Sequence, residues 1–177
     1  MNGNLERVAV LRDGRELVVE RYINQPIKEV WQAITQPERM SHWLAKADLD
    51  LKKGGRMHLH FENTDSDVMA TITAIDEPYL FEYSWDEQKT PEQDQLPADA
   101  REASRLLAGD GECIQLLLAT LVRIQLNQQG NGTQLTLSHV LPQAAVSGKG
   151  RSAVNLPVVL AAWQNHLDGL NQAMSTR

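Results

Sequence analysis

The stretch Ser152–Met174, close to the end of the 177-residue chain, limits the fold more than any other. Leu156, Leu160, Trp163, Leu167, Leu170 and Met174 follow one another at steps of four, three, four, three and four. That spacing matches the 3.6-residue period of an α-helix and lays one apolar ridge along one side. Asn165, His166, Asp168, Asn171 and Gln172 fall off the ridge and are expected to face water. Pro157 suits a first helical turn, where its missing N–H costs little, so regular helix is expected from Leu156 or Pro157. A ridge with a tryptophan at its middle needs a broad apolar surface over it, and most of the preceding chain reads as β-strand. The expected fold class is therefore α+β: one curved antiparallel sheet of six to seven strands, wrapped around a long C-terminal helix.

Size and composition fit one domain, residues 1–177, with its own core. The 42% hydrophobic and 23% charged content is that of an ordinary globular chain. A formal charge of −6 and no concentrated basic stretch exclude a nucleic-acid partner. Cys113 is the single cysteine, which excludes an internal disulfide and fits a reducing compartment. The first residues are charged throughout, and no run approaches the roughly 18–20 apolar residues of a membrane span. A soluble cytoplasmic protein with no membrane partner is expected.

Taken in order, Leu5–Leu11 and Glu16–Ile23 are β-branched-rich runs flanking Asp13-Gly14, a hairpin signal. Pro26 opens a short helix whose stripe is Ile27, Val30, Trp31 and Ile34. It ends before Pro37, which opens a second short helix to Leu44 with Met40, Trp43 and Leu44 on one side. The pair has a helix–turn–helix outline, yet it holds few cations and two tryptophans, so a plug on the sheet is expected rather than a DNA reader. From Ala47 the period changes to two. Strands are expected at Ala47–Leu51, Arg56–Phe61, Val68–Asp76, Tyr79–Trp85, Val122–Leu126 and Leu135–His139. Short polar loops join most of them, which favours an antiparallel meander. The polar insert 86–112 breaks the rhythm, with a helix-forming segment at Pro97–Ala108. Loops of that length are often functional, and a lid or contact element is weighed against a decorative insertion.

The words along the chain resemble a known family. Asn24-Gln25-Pro26-Ile27-Lys28-Glu29-Val30-Trp31-Gln32-Ala33-Ile34-Thr35-Gln36-Pro37-Glu38 resembles the opening of the START-like proteins grouped as homologues of the heat-shock-protein-90 ATPase activator's C-terminal domain. His42-Trp43, Gly54-Gly55, Glu77-Pro78, Tyr83-Ser84-Trp85, the run Gly132–His139 and Ala162–Leu170 continue the likeness. It covers about Glu16 to Met174 apart from the insert; the insert and the extra N-terminal strand depart from it. The resemblance implies the helix-grip (Bet v 1-like) fold, with two short helices after the first strands and an apolar cavity between sheet and long helix. It implies binding of a small hydrophobic molecule, and, in the eukaryotic namesakes, contact with a chaperone.

No residue cluster announces catalysis. His58 and His60 form an H-x-H on one strand, but no Cys/His/Asp group joins them to complete a zinc site, and exposed histidines are the plainer reading. There is no G-x-S-x-G elbow, and Cys113 lacks an evident base. Ser147–Ser152 is glycine- and cation-rich without phosphate-loop spacing. His139 shares strand parity with Leu135 and Leu137, which turns it inward, either as a polar point for a ligand or as a core histidine bonded to backbone. The candidate cavity lining is Trp43, Met57, Phe61, Tyr83, Trp85, His139, Trp163 and Leu167, with plain core packing as the alternative for each. A pocket of several hundred Å3 is expected between them. No metal, cofactor or catalytic residue is expected. The partner expected is a small hydrophobic molecule; a co-chaperone-like or homodimeric interaction module, and an enzyme using His139, are the alternatives.

Overall fold

The computed structural model describes residues 10–12, 16–63, 65–86, 121–140 and 156–175. The expectations for Asp13-Gly14, the body of the insert with its helix, Cys113 and the Ser147–Ser152 loop lie outside these residues. The strands are β1 (Val10–Arg12), β2 (Glu16–Ile23), β3 (Lys46–Leu49), β4 (Arg56–Phe61), β5 (Ser66–Asp76), β6 (Leu80–Asp86), β7 (Leu121–Gln129) and β8 (Gly132–Val140). The helices are α1 (Ile27–Thr35), α2 (Pro37–Met40) and the long α3 (Leu156–Ser175). All neighbouring strands are antiparallel, in the order β1-β2-β8-β7-β6-β5-β4-β3. The three-residue β1 at one edge brings the count to eight.

From β3 to β8 the sheet is the expected meander, but β2 pairs with β8 along its whole length, from Glu16 opposite Val140 to Ile23 opposite Thr133. α1 and α2 therefore carry the chain from one side of the sheet to its far edge. Local chemistry explains their limits. Gln36 precedes Pro37, and the steric demand of proline holds its backbone extended, which ends α1. α2 has four residues, shorter than expected. Past Met40 the turn tightens, with His42 N–H donating to the Arg39 carbonyl and Trp43 N–H to the Met40 carbonyl, three residues back in each case. Met40, Trp43 and Leu44 are nonetheless buried, as their spacing suggests.

Strand alternation sorts the side chains. Leu17, Val19 and Ile23 of β2, Met57 and Leu59 of β4, Phe81 and Tyr83 of β6, Val122, Ile124 and Leu126 of β7, and Leu135 and Leu137 of β8 all face inward and are buried. β5 keeps this pattern only through a bulge between Ile72 and Ala74, after which Ile75 pairs with Phe81. One glycine is dictated by space: a Cβ on Gly55 would lie 1.9 Å from the Asp50 carbonyl oxygen, so the β3–β4 turn closes only without one. Trp163, Leu167, Leu170 and Met174 form the buried side of α3, with Leu160 half-buried behind them. Covering a leucine fully in this way stabilises by roughly 1.5–3 kcal/mol.

Candidate functional site

The concave face is apolar almost throughout, and two of its polar groups, His139 and Arg21, are met by α3. His139, inward on β8, is 4% exposed. The Trp163 indole Nε1–H donates to His139 Nδ1 at 3.0 Å, and the two rings stand nearly perpendicular with centroids 6.0 Å apart. Because Nδ1 accepts, the imidazole proton belongs on Nε2. Burial disfavours the charged ring and pushes its pKa down to about 4, so His139 is neutral at pH 7.

One turn along α3, the His166 Nδ1–H donates to the Trp43 carbonyl at 3.0 Å. The His166 ring centroid lies 6.0 Å from that of Trp163 and 6.4 Å from that of Phe61. Trp43 in turn donates its Nε1–H to the Ala33 carbonyl at 2.9 Å, which ties the corner after α2 to α1. A strip of aromatic and imidazole rings thus crosses the interior from Phe61 on β4, through His166 and Trp163, to His139 on β8. Arg21 anchors α3 on the β2 side. It faces inward, its Nε donates to Asp168 Oδ1 at 3.2 Å, and its Nη1 donates to the Glu20 carbonyl at 3.1 Å. The Arg21 side chain is 8% exposed and the Asp168 side chain 60%.

Of the eight lining candidates, Trp43, Phe61, His139 and Trp163 are linked by this strip. Met57, Tyr83 and Leu167 belong to the same core and are at most 1% exposed, so each faces neighbouring atoms with no water-sized space beside it. Trp85 stands on β6, with its side chain outside the described residues. Sequence reasoning missed His166 and Arg21. His166 lies three residues after Trp163, one turn along the ridge, and that neighbourhood was the available signal. Arg21 shares the parity of Leu17, Val19 and Ile23, but an arginine in that register reads as solvent-facing without a partner in view.

A cavity of about 270 Å3 opens elsewhere, between α1, α2 and the last turns of α3, and among the eight candidates Trp43 alone borders it. On the outer face, His58 Nε2 and His60 Nδ1 lie 2.8 Å and 3.1 Å from one oxygen of Asp67. The His60 hydrogen bond, seconded by that of His58, holds the Asp67 carboxyl below the usual carboxylate range. Among the described residues no group of three or more His, Cys, Asp or Glu is arranged to hold a metal ion. No helix among them is long and apolar enough to cross a membrane.

A curved antiparallel sheet gripping one long C-terminal helix, with two short helices between its first strands, defines the helix-grip class. Residues 24–175 match the family described as Activator of Hsp90 ATPase homolog 1-like protein, and the chain belongs to that family. No curated protein sequence matches it. Among solved structures, protein MLL2253 from Mesorhizobium loti is 22% identical with a TM-score of 0.66, over 91% of this chain and 97% of that one. CalU16 from Micromonospora echinospora is 20% identical with a TM-score of 0.59, over 91% of this chain and 76% of its own. DynU16, from the dynemicin biosynthetic locus, is 16% identical with a TM-score of 0.64, over 92% of this chain and 48% of its own. At these identities the likeness shows the fold alone.

Proposed function

We propose that this protein binds a small hydrophobic molecule between the sheet and α3, at the end of the interior marked by His139 and Trp163. The observation that supports this is a paired polar point, His139 with the Trp163 indole, set in a mostly apolar face along which Leu160, His166 and Phe61 are only half-buried. Small-molecule sites commonly combine aromatic walls with a few fixed polar groups. Met57, Tyr83 and Leu167 form the closed floor, and the guest enters by displacing the half-buried Leu160. The origin of DynU16 in a biosynthetic locus agrees with a small-molecule role for this fold. His139 favours binding over proton transfer, because it is neutral and its acceptor nitrogen already holds the indole N–H.

The test is native mass spectrometry of freshly purified protein, followed by titration with linear and polycyclic hydrophobic compounds while the Trp163 indole N–H is watched by NMR. A co-purified mass, or saturable movement of that signal that is lost in Leu160→Trp, is the expected result. An empty protein whose Trp163 signal ignores every compound would overturn the proposal.

A further inference from the structure

We infer that the cavity between α1, α2 and the C-terminal turns of α3 is a second binding site, separate from the interior, for a small carboxylic acid with a compact apolar body. Its volume, about 270 Å3, sits just under the roughly 300 Å3 at which small-molecule sites begin. Its wall is mostly apolar and carries two charged residues, Arg39 and Glu29. Trp43, Leu170 and Met174 supply an apolar surface, and the indole N–H of Trp43 is already satisfied by the Ala33 carbonyl, so no polar atom of that ring needs a partner. Arg39, Glu29 and His42 supply the polar side.

Arg39 carries the argument. Its side chain is 21% exposed, which is unusually covered for an arginine. Through Nη1 it donates to Glu29 Oε2 at 3.0 Å and, at a longer 3.4 Å, to the Glu29 carbonyl. Its Nε and Nη2 hydrogens meet no acceptor among the described residues, although the guanidinium offers five donors in a planar fork that matches a carboxylate. The Glu29 side chain is 43% exposed, so water competes for it and it can swing out. An incoming carboxylate therefore takes the place that Glu29 now holds only partly, in the two-pronged geometry arginine favours, while its body rests on Trp43, Leu170 and Met174. Glu29 acts as an internal competitor, which gives the site an unusual signature: its two charged residues affect the ligand in opposite directions.

The experiment uses the full chain, with benzoate as the probe and benzamide and benzylamine as its neutral and cationic counterparts. The indole N–H signals of Trp43 and Trp163 report the two sites separately in one NMR titration. Benzoate is expected to move the Trp43 signal saturably and leave that of Trp163 in place, with an affinity about fivefold above benzamide. Arg39→Gln is expected to remove that preference, and Glu29→Gln to raise benzoate affinity about threefold. A purely structural ion pair would make both variants alike, and would leave benzoate and benzamide equal in the wild type. The inference is overturned if the Trp43 signal does not respond, if benzamide or benzylamine binds as well as benzoate, or if Glu29→Gln weakens benzoate. Loss of folding in Arg39→Gln would still leave the wild-type comparison and Glu29→Gln decisive. Failure of the interior site would leave the Trp43 response untouched.

Discussion

The two ends of α3 handle polar groups in opposite ways. At the Trp163 end the polar atoms are buried and satisfied by each other: an indole N–H on an imidazole nitrogen, both rings neutral. At the Leu170–Met174 end the polar groups are charged, half in water, and grouped around an open cavity. A low-dielectric interior makes an unpaired charge costly, so the closed end tolerates only a neutral pair. The open end keeps an ion pair because solvent screens it, and that pair holds its partners loosely. One end thus fixes how the helix is gripped, while the other leaves room for an exchange of partners.

Substitutions along the helix break this comparison in a graded way. Leu167→Ala, at the closed middle, should cost about 4 kcal/mol in urea denaturation, whereas Met174→Ala should cost about 2 kcal/mol, because Met174 borders open space. Equal losses would mean the two ends are covered alike. Acidification probes the closed end by charge. The unfolded chain takes up the His139 proton near its ordinary 6.5 and the folded chain only near 4, so stability rises with pH across that window. On the order of 3 kcal/mol should be lost between pH 7 and pH 4, and the part due to this ring is what His139→Gln removes from the pH profile.

Smaller changes sharpen the same contrast. Trp163→Phe keeps most of the ring but deletes the donor to His139. It should cost about 1 kcal/mol and raise the imidazole pKa above about 4, read by NMR titration of the ring protons. Gly169→Ala should stabilise by about 0.5–1 kcal/mol in thermal unfolding. A Cβ there meets the Trp43 backbone at an ordinary 3.8 Å while the helix gains a better former. Asp168→Asn should cost about 0.5 kcal/mol, since the carboxylate facing Arg21 is 60% exposed; a loss of several kcal/mol would show that Arg21 depends on it.

Much of the architecture was readable from period alone. Glu16–Ile23 and Arg56–Phe61 are strands at the expected bounds, and the helix from Leu156 presents Trp163, Leu167, Leu170 and Met174 inward as their spacing required. His139 faces inward by parity. Less of the site was readable. The bulge beside Thr73 changes which side chains of β5 face inward, and no turn residue marks it. His166 looked solvent-facing because its partner, the Trp43 carbonyl, lies 123 residues away. The cavity bordered by Arg39 and Glu29 joins α1 and α2 to a helix more than a hundred residues later, and no local pattern encodes that meeting.

By itself, the sequence determined most of the elements, the inward faces of the regular ones and the class of fold, because side-chain period and turn chemistry act between near neighbours. Only the tertiary structure decided that β2 closes on β8, that His139 is buried deeply enough to stay neutral while it accepts from an indole, and that open space lies beside Arg39 rather than against Met57, Tyr83 and Leu167. Those outcomes depend on how surfaces distant in sequence fit together, and fit is a property of shape and volume that residue order leaves unspecified.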